Sequence, residues 1–311
     1  MDAVYLAEAL QESVKHRFKG KQSIKSRTVL RFPDTLAREY KRIVNAYMAL
    51  FNKALQKNLP EIRKAIDAER SEMRQDSIYD VLGISKRTFE KILADFEKSV
   101  NQYNLYKQMD KLANLTKKLT IREWKRVVHH SLGINLIDDY YLGRFYRDNL
   151  SLWVKNNVGM IKTIPQDTLS RMETIIEEGY LAGKSNTAIG RDITQAYQQQ
   201  KHRAQLLARD QVAKLNADIT QKQQQDAGVD SYVWSSSKDV RVRDCHLDFD
   251  GKEFKWSEPP ENYYNTKSRG RVYIGRYHPG QAPGCRCCSL PVFNLENLSL
   301  PWESDISGKD T

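Results

Sequence analysis

Apolar residues recur through the first two thirds of the chain at the spacing of one helix face. From Asp34, an N-cap residue by type, Leu36, Tyr40, Ile43, Val44, Tyr47, Met48, Phe51 and Leu55 repeat every three or four positions. That spacing predicts an amphipathic helix ending at Pro60. Ser85 stands before Phe89, Ile92, Leu93, Phe96, Val100 and Tyr103, a second helix with one apolar face. Pro165 fits the first turn of a third, which continues through Leu169, Met172, Ile175 and Ile176 towards Gly179 or Gly183; a proline there lacks only an N–H that the helix does not use. Arg203 to Ala227 reads as a long helix with Leu207, Val212, Leu215 and Ile219 inward, and Gly228 ends it as its C′ residue.

Beyond Gly228 the period changes. Tyr232-Val233-Trp234, Lys252-Glu253-Phe254, Val272-Tyr273-Ile274 and Leu290-Pro291-Val292-Phe293 are short runs separated by Gly, Pro, Asn and Asp, the punctuation of short strands. Tyr232 and Trp234 share one strand face and read as core. After Asn294 the chain is polar, with Trp302 available to dock it. The predicted fold class is a mainly α N-terminal region followed by a small α+β C-terminal module with short strands, which bound zinc would stabilise.

Charge sharpens the division. The 311 residues suffice for two domains at about 100–200 residues each. Net charge is +11, yet residues 228–311 hold 11 basic and 12 acidic side chains, so the whole excess lies in residues 1–227. Six of the nine prolines and all four cysteines also fall after Gly228. Hydrophobic content of 40% with 29% charged residues excludes a disordered chain. No apolar run approaches the roughly 18 residues of a membrane span. The opening MDAVYLAEAL has no basic stretch leading into an apolar one, so no secretory leader is expected. Four cysteines in a chain this long make no disulfide framework, so the expected compartment is the reducing cytoplasm, with thiols free or holding metal.

The densest chemistry is His246, His278, Cys285, Cys287 and Cys288. Zinc needs four N or S donors converging on one point. An extended Cys285-Arg286-Cys287 puts both sulfurs on one face, and His246 and His278 complete a candidate site; small thiols packed in a core are the alternative. Asp239, Asp244, Asp248 and Asp250 around His246 could hold a divalent metal for phosphodiester hydrolysis. Against this, Asp250-Gly251 is an ordinary turn dipeptide, Asp239 can cap a loop, and Arg241 and Arg243 can pair with these acids. No Gly-x-Ser-x-Gly elbow, phosphate-binding loop or dinucleotide fingerprint occurs. Lys15, Arg17, Lys19, Lys21, Lys25, Arg27 and Arg31 form a basic stretch without an acid, suited to tracking phosphates or to standing free in solvent. Lys117, Lys118, Arg122, Lys125 and Arg126 form a second basic cluster.

At Arg203 a series of motifs begins. Arg203-Ala204-Gln205-Leu206-Leu207-Ala208-Arg209-Asp210-Gln211 continues as Lys214-Leu215-Asn216, then Gly228-Val229, Tyr232, Trp234 and Asp239-Val240-Arg241-Val242-Arg243. His246, Asp250-Gly251, His278-Pro279-Gly280, Cys285-Arg286-Cys287 and Pro291-Val292 follow in order. The series resembles the phage Mu F-like head morphogenesis family, minor head proteins of tailed phages and prophages. Ile161 to Tyr197, with its Gly183-Lys184-Ser185 turn, is similar to that family's two preceding helices, so the likeness covers about residues 150–293. Many relatives carry Cys-x-x-Cys before the Asp-Gly; here Arg243 and His246 stand at those places.

Composition and the resemblance together give four segments: a basic helical region over 1–150, the helical part of the head morphogenesis domain over 151–227, the small Cys/His-containing module over 228–293 and a polar tail over 294–311. The resemblance also implies an assembly role without enzymatic activity. The expected partners are a portal protein, major capsid or scaffold proteins and packaged double-stranded DNA, in the host cytoplasm during assembly and then in the phage head. Zinc is the one cofactor considered, and Arg209, Asp210, Trp234, Asp239, Arg241, Asp250 and Gly251 are expected to be structural. The rival classes are a metal-dependent nuclease using His246 and the nearby aspartates, and a DNA-binding protein with no head role.

Overall fold

The computed structural model describes residues 12, 14–71, 78–136 and 143–298. Their elements, in chain order, are β1 (Ser23–Lys25), α1 (Asp34–Ser71), α2 (Ile78–Asn101), α3 (Leu105–Leu132), α4 (Arg144–Leu181), α5 (Asn186–Asp226), β2 (Ser231–Ser235), α6 (Asp244–Phe249), β3 (Glu253–Lys255), β4 (Glu261–Thr266), β5 (Gly270–Arg276) and β6 (Cys288–Asn294). Long helices thus precede a small strand module, the expected class. Trp302 lies outside the described residues.

Helix ends differ from the sequence reading where Pro60, Pro165 and Ser85 read as boundaries. Pro60 lies inside α1, which runs on to Ser71. Beyond it Ile62 and Ile66 are each 2% exposed, so the buried stripe continues and outweighs one lost backbone bond. Pro165 likewise lies inside α4 rather than in a first turn. Trp153, Val154 and Ile161 are buried before it, and Leu169, Met172 and Ile176 after it. Ser85 does not cap α2: it lies inside the helix, seven residues past Ile78, and is fully buried. The helix through Arg203 begins at Asn186, where Ser185 Oγ accepts the Ala188 N–H at 3.2 Å. Its far end follows the expectation: Gly228 has φ +72°, and the Gly228 and Val229 N–H groups return to the carbonyls of Gln225 and Gln224.

The chain forms two compact units, neither of them one consecutive stretch. The expected divisions at residues 150 and 227 fall inside α4 and just past α5. The first unit takes the described residues of 38–112 and 153–209 and is entirely helical. Its core includes Tyr40, Ile43, Tyr47, Met48 and Phe51 of α1, with Ile92 and Phe96 of α2. Phe96 meets the rings of Tyr47 and Phe51 edge-on, at 5.2 and 5.4 Å. Two buried tyrosine hydroxyls are satisfied, with Tyr40 OH donating to Asn157 Oδ1 at 2.7 Å and Tyr197 OH to the Met48 carbonyl at 3.1 Å.

The second unit takes the described residues of 1–37, 113–152 and 210–298. Its main sheet has the order β1-β6-β2-β3, and β4-β5 forms a separate hairpin. Three elements had no signal in the periodicity: β1, β4 and the six-residue α6. Residues Ser23 to Lys25 are not a free basic arm, because β1 pairs antiparallel with Val292 to Asn294 of β6. Pro291 therefore stands in a strand with neighbours on both sides; its carbonyl accepts the Ser26 N–H at 3.0 Å, and it has no N–H to leave unpaired. Trp124 of α3, fully buried, lies 6.0 Å from the Phe293 ring and covers the sheet. Tyr232 and Trp234 are both fully buried on one face of β2, as their spacing predicts.

Pro60→Ala tests the claim that packing carries α1 through its proline. Alanine restores the missing backbone bond at an exposed position, so unfolding free energy should rise by about 1–3 kcal/mol in urea titration. A fall would mean that the packing needs a kink at Pro60.

Candidate metal centre

The small module is built around a loop that ends in Cys285-Arg286-Cys287, just ahead of β6. Three polar side chains grip it. Asp210 of α5 accepts the Gly284 N–H at 2.7 Å, while its other oxygen pairs with Lys214 at 2.8 Å. The Arg243 guanidinium donates to the Pro283 carbonyl, and Arg286 pairs with Asp239. Asp239 also accepts the Arg241 N–H at 2.9 Å and so closes its own turn. At the loop's start Gly280 has φ +84°, and a Cβ there would come within 2.9 Å of the Ala217 methyl on α5, so glycine is required twice over.

Side chains alternate along this extended segment. Arg286 turns to Asp239, while Cys285 and Cys287 turn inward to His246 of α6. The His246 Nδ1 lies 3.7 Å from Cys285 Sγ and 3.5 Å from Cys287 Sγ. Among the described residues, these are the one group of three or more His, Cys, Asp or Glu whose donor atoms all lie within 4.8 Å of one another, and all three are buried. The cluster could hold a metal ion.

Hydrogen bonds orient it. His246 Nε2 sits 2.7 Å from Asn262 Oδ1. Asn262 is fully buried, and its Nδ2 donates to the carbonyls of Pro260 and Tyr277 at 2.9 and 3.0 Å. Two carbonyl acceptors fix the amide nitrogen on that side, so Oδ1 must face the histidine and Nε2 must carry the proton. Cys285 Sγ in turn accepts the N–H groups of Gly280 at 3.3 Å and Cys287 at 3.4 Å.

These contacts set the charges in the chain alone. The Cys287 thiol, donating to its neighbour, lowers the Cys285 pKa well below the ordinary thiol range, and His246 adds to this. The same bond, followed by burial, drives the Cys287 thiol up, so that the proton shared by the pair sits on Cys287. Burial works against the His246 cation, but the sulfurs of Cys245 and Cys285 and the Asn262 oxygen outweigh it and push its pKa up to about 9.

His278 stands outside the cluster. Its Nδ1 lies 2.8 Å from Tyr232 OH, its ring packs 4.7 Å from that of Trp256, and burial lowers its pKa to about 4. Cys245 is buried and accepts the Tyr263 N–H at 3.3 Å; half-buried Cys288 donates to the Leu30 carbonyl at 3.4 Å. The acids near His246 do not converge. Asp244 accepts the Asn265 N–H, Asp248 accepts Tyr263 OH at 2.6 Å, and Asp250 accepts the Ser236 N–H at 2.7 Å. The Gly251 N–H closes the turn on the Trp234 carbonyl. Arg241 is exposed and Arg209 half-buried.

All seven basic residues from Lys15 to Arg31 are exposed. Lys25 is drawn to Glu253 at 2.9 Å and Arg17 to the Leu132 carbonyl at 3.2 Å. Lys117, Lys118, Arg122, Lys125 and Arg126 all lie on α3, with Arg126 paired to Glu123 at 2.8 Å. Sequence reasoning expected Asp210 and Asp239 to be structural but missed Asn262 and the hold of Arg243 on the Pro283 carbonyl. Asn262 lies within a polar run, Glu261 to Thr266, that shows no strand alternation, and nothing in the sequence announces its partner.

The geometry defines a class of module: a short α+β sheet unit at the end of a long helix, with a buried imidazole–thiol cluster held by a clamped loop. Within the chain, residues 170–290 match the family described as Phage Mu protein F like protein. The motif resemblance is thus borne out over a stretch containing Asp210, Asp239, His246 and both clustered cysteines. An uncharacterised protein of Haemophilus influenzae is 24% identical over 234 residues, which cover 75% of this chain and 49% of that protein. The chain therefore spans about half the length of that curated relative. No solved structure matches the chain. Among the described residues no helix is long and apolar enough to cross a membrane.

His278 supplies a pH prediction. Its folded pKa lies below the ordinary histidine value, so the unfolded chain binds the extra proton and stability falls as pH drops from about 6.5 towards about 4. Histidine NMR titration should find this ring still neutral at about pH 5.5. An ordinary midpoint near 6.5 would contradict burial as the controlling force.

Proposed function

We propose that the chain is a minor head protein of a tailed phage or prophage and acts in head morphogenesis without catalysing a reaction. The observation carrying this reading is the match of residues 170–290 to the Phage Mu protein F like family. The same stretch holds the motif residues that grip the cysteine loop. In this reading the motifs preserve a docking module. The module or the helices dock on a portal protein, the major capsid protein or a scaffold, and the protein passes from the host cytoplasm into the head. The exposed basic residues from Lys15 to Arg31 contact the phosphates of packaged DNA.

The scattered aspartates favour this over the nuclease reading, because hydrolysis of a phosphodiester needs carboxylates converging on one metal. Cleavage of DNA by the full chain with Mg²⁺, Mn²⁺ or Zn²⁺, abolished by chelator and by His246→Ala, would reverse that preference.

Quantitative mass spectrometry of purified proheads and DNA-filled particles tests the head role. A few copies per particle are expected, and absence from both would refute it. DNA binding by the basic stretch is tested separately. Lys19→Glu with Lys21→Glu should weaken binding and lower the slope of log affinity against log salt by about 0.9 for each phosphate that the variant no longer neutralises. An unchanged slope would take these residues out of the interface.

A further inference from the structure

We infer that His246 Nδ1, Cys285 Sγ and Cys287 Sγ bind one zinc ion, and that Asn262 is the positioning residue that makes the site. The inference is independent of the head role, since it uses only the interior of the small module.

Distance is the first argument. Zinc bonds to sulfur at about 2.3 Å and to histidine nitrogen at about 2.0–2.1 Å, so in a tetrahedron the N-to-S edge measures about 3.5–3.6 Å. The two such edges here are 3.5 and 3.7 Å. The donors already stand where zinc ligands stand.

Direction is the second. A histidine offers a metal only the nitrogen that lacks a proton. Asn262, fixed by the Pro260 and Tyr277 carbonyls, obliges Nε2 to keep its proton. In the neutral ring this leaves the Nδ1 lone pair aimed between the two sulfurs. Ligating histidines ordinarily anchor their second nitrogen in this way, on an acceptor that is itself held. The two bonds from Asn262 Nδ2 hold the amide in the one orientation that presents its oxygen to His246.

Charge is the third. Two thiolates and a neutral imidazole around Zn²⁺ sum to zero, which suits a site whose three side chains are 2, 3 and 6% exposed. Written in balance, Zn²⁺ enters, two protons leave the cluster, and nothing is oxidised or reduced. The Gly280 and Cys287 N–H groups directed at Cys285 Sγ support a sulfur bearing negative charge. His278 is not a fourth ligand, since its Nδ1 is engaged with Tyr232 OH. Among the described residues the cluster has three side-chain donors, and the fourth position is left to water.

The bound ion would tie α6 to the approach of β6, joining positions 39 and 41 residues apart within a small core. Modules of this size gain much of their stability from such staples.

The full chain should be purified from zinc-supplemented cells without chelator and its zinc content measured by plasma mass spectrometry. One zinc per chain is expected. X-ray absorption at the zinc edge should then show two sulfurs at about 2.3 Å and nitrogen at about 2.0–2.1 Å. Asn262→Leu should lower zinc affinity about 10–100-fold, read by competition with a chromophoric chelator, with the far-ultraviolet circular dichroism unchanged. Should that variant fail to fold, the sulfur count of the natural chain still decides the question. Zinc below one tenth of stoichiometry, a sphere without sulfur, or a folded Asn262→Leu chain of unchanged affinity would each overturn the proposal.

Discussion

The C-terminal module depends on how one loop is gripped. Residues 279–287 have almost no regular structure, yet they deliver two sulfurs to a buried imidazole. A loop of this kind cannot hold itself, because its backbone groups lack the periodic partners of a helix or strand. Asp210 takes one N–H, Arg243 takes one carbonyl, and the Arg286–Asp239 pair fixes the side chain between the cysteines. These grips come from the long helix, from the residue just before α6 and from the turn after β2. Residues far apart in sequence thus converge on one short segment, and the cluster follows from their agreement.

The same agreement assigns roles to polar residues that would look catalytic in isolation. An Asp-rich stretch with a histidine suggests a metal-dependent hydrolase. Here each carboxylate already has a structural partner: Arg286 for Asp239, the Asn265 amide for Asp244, Tyr263 for Asp248 and the Ser236 amide for Asp250. His246 is drawn away from them, towards sulfur on one side and an amide oxygen on the other. The two histidines also part company. Sulfur neighbours raise the pKa of His246, while His278, beside Tyr232 and Trp256, is lowered by burial.

In the helical unit, burial decides where elements end. Two prolines and one serine read as boundaries, and all three lie inside helices. A proline costs a helix one hydrogen bond and some steric strain. Against this, α1 buries Ile62 and Ile66 beyond its proline, and α4 buries apolar side chains on both sides. Helices in folded proteins draw most of their stability from such packing rather than from local propensity.

The sequence by itself determined the class of fold, because helix and strand periods are local properties of hydrophobic spacing. It determined the end of α5 at Gly228, the shared face of Tyr232 and Trp234, and the inward pairing of Cys285 with Cys287, each set by geometry within a few residues. Only the tertiary structure decided that β1 crosses from the basic N-terminal stretch into the C-terminal sheet, since its three residues carry no periodic signal of their own. Only it could separate His246 from His278, or choose Asn262 to orient the imidazole. Those choices depend on which side chains meet across tens of residues, and local spacing carries no record of such meetings.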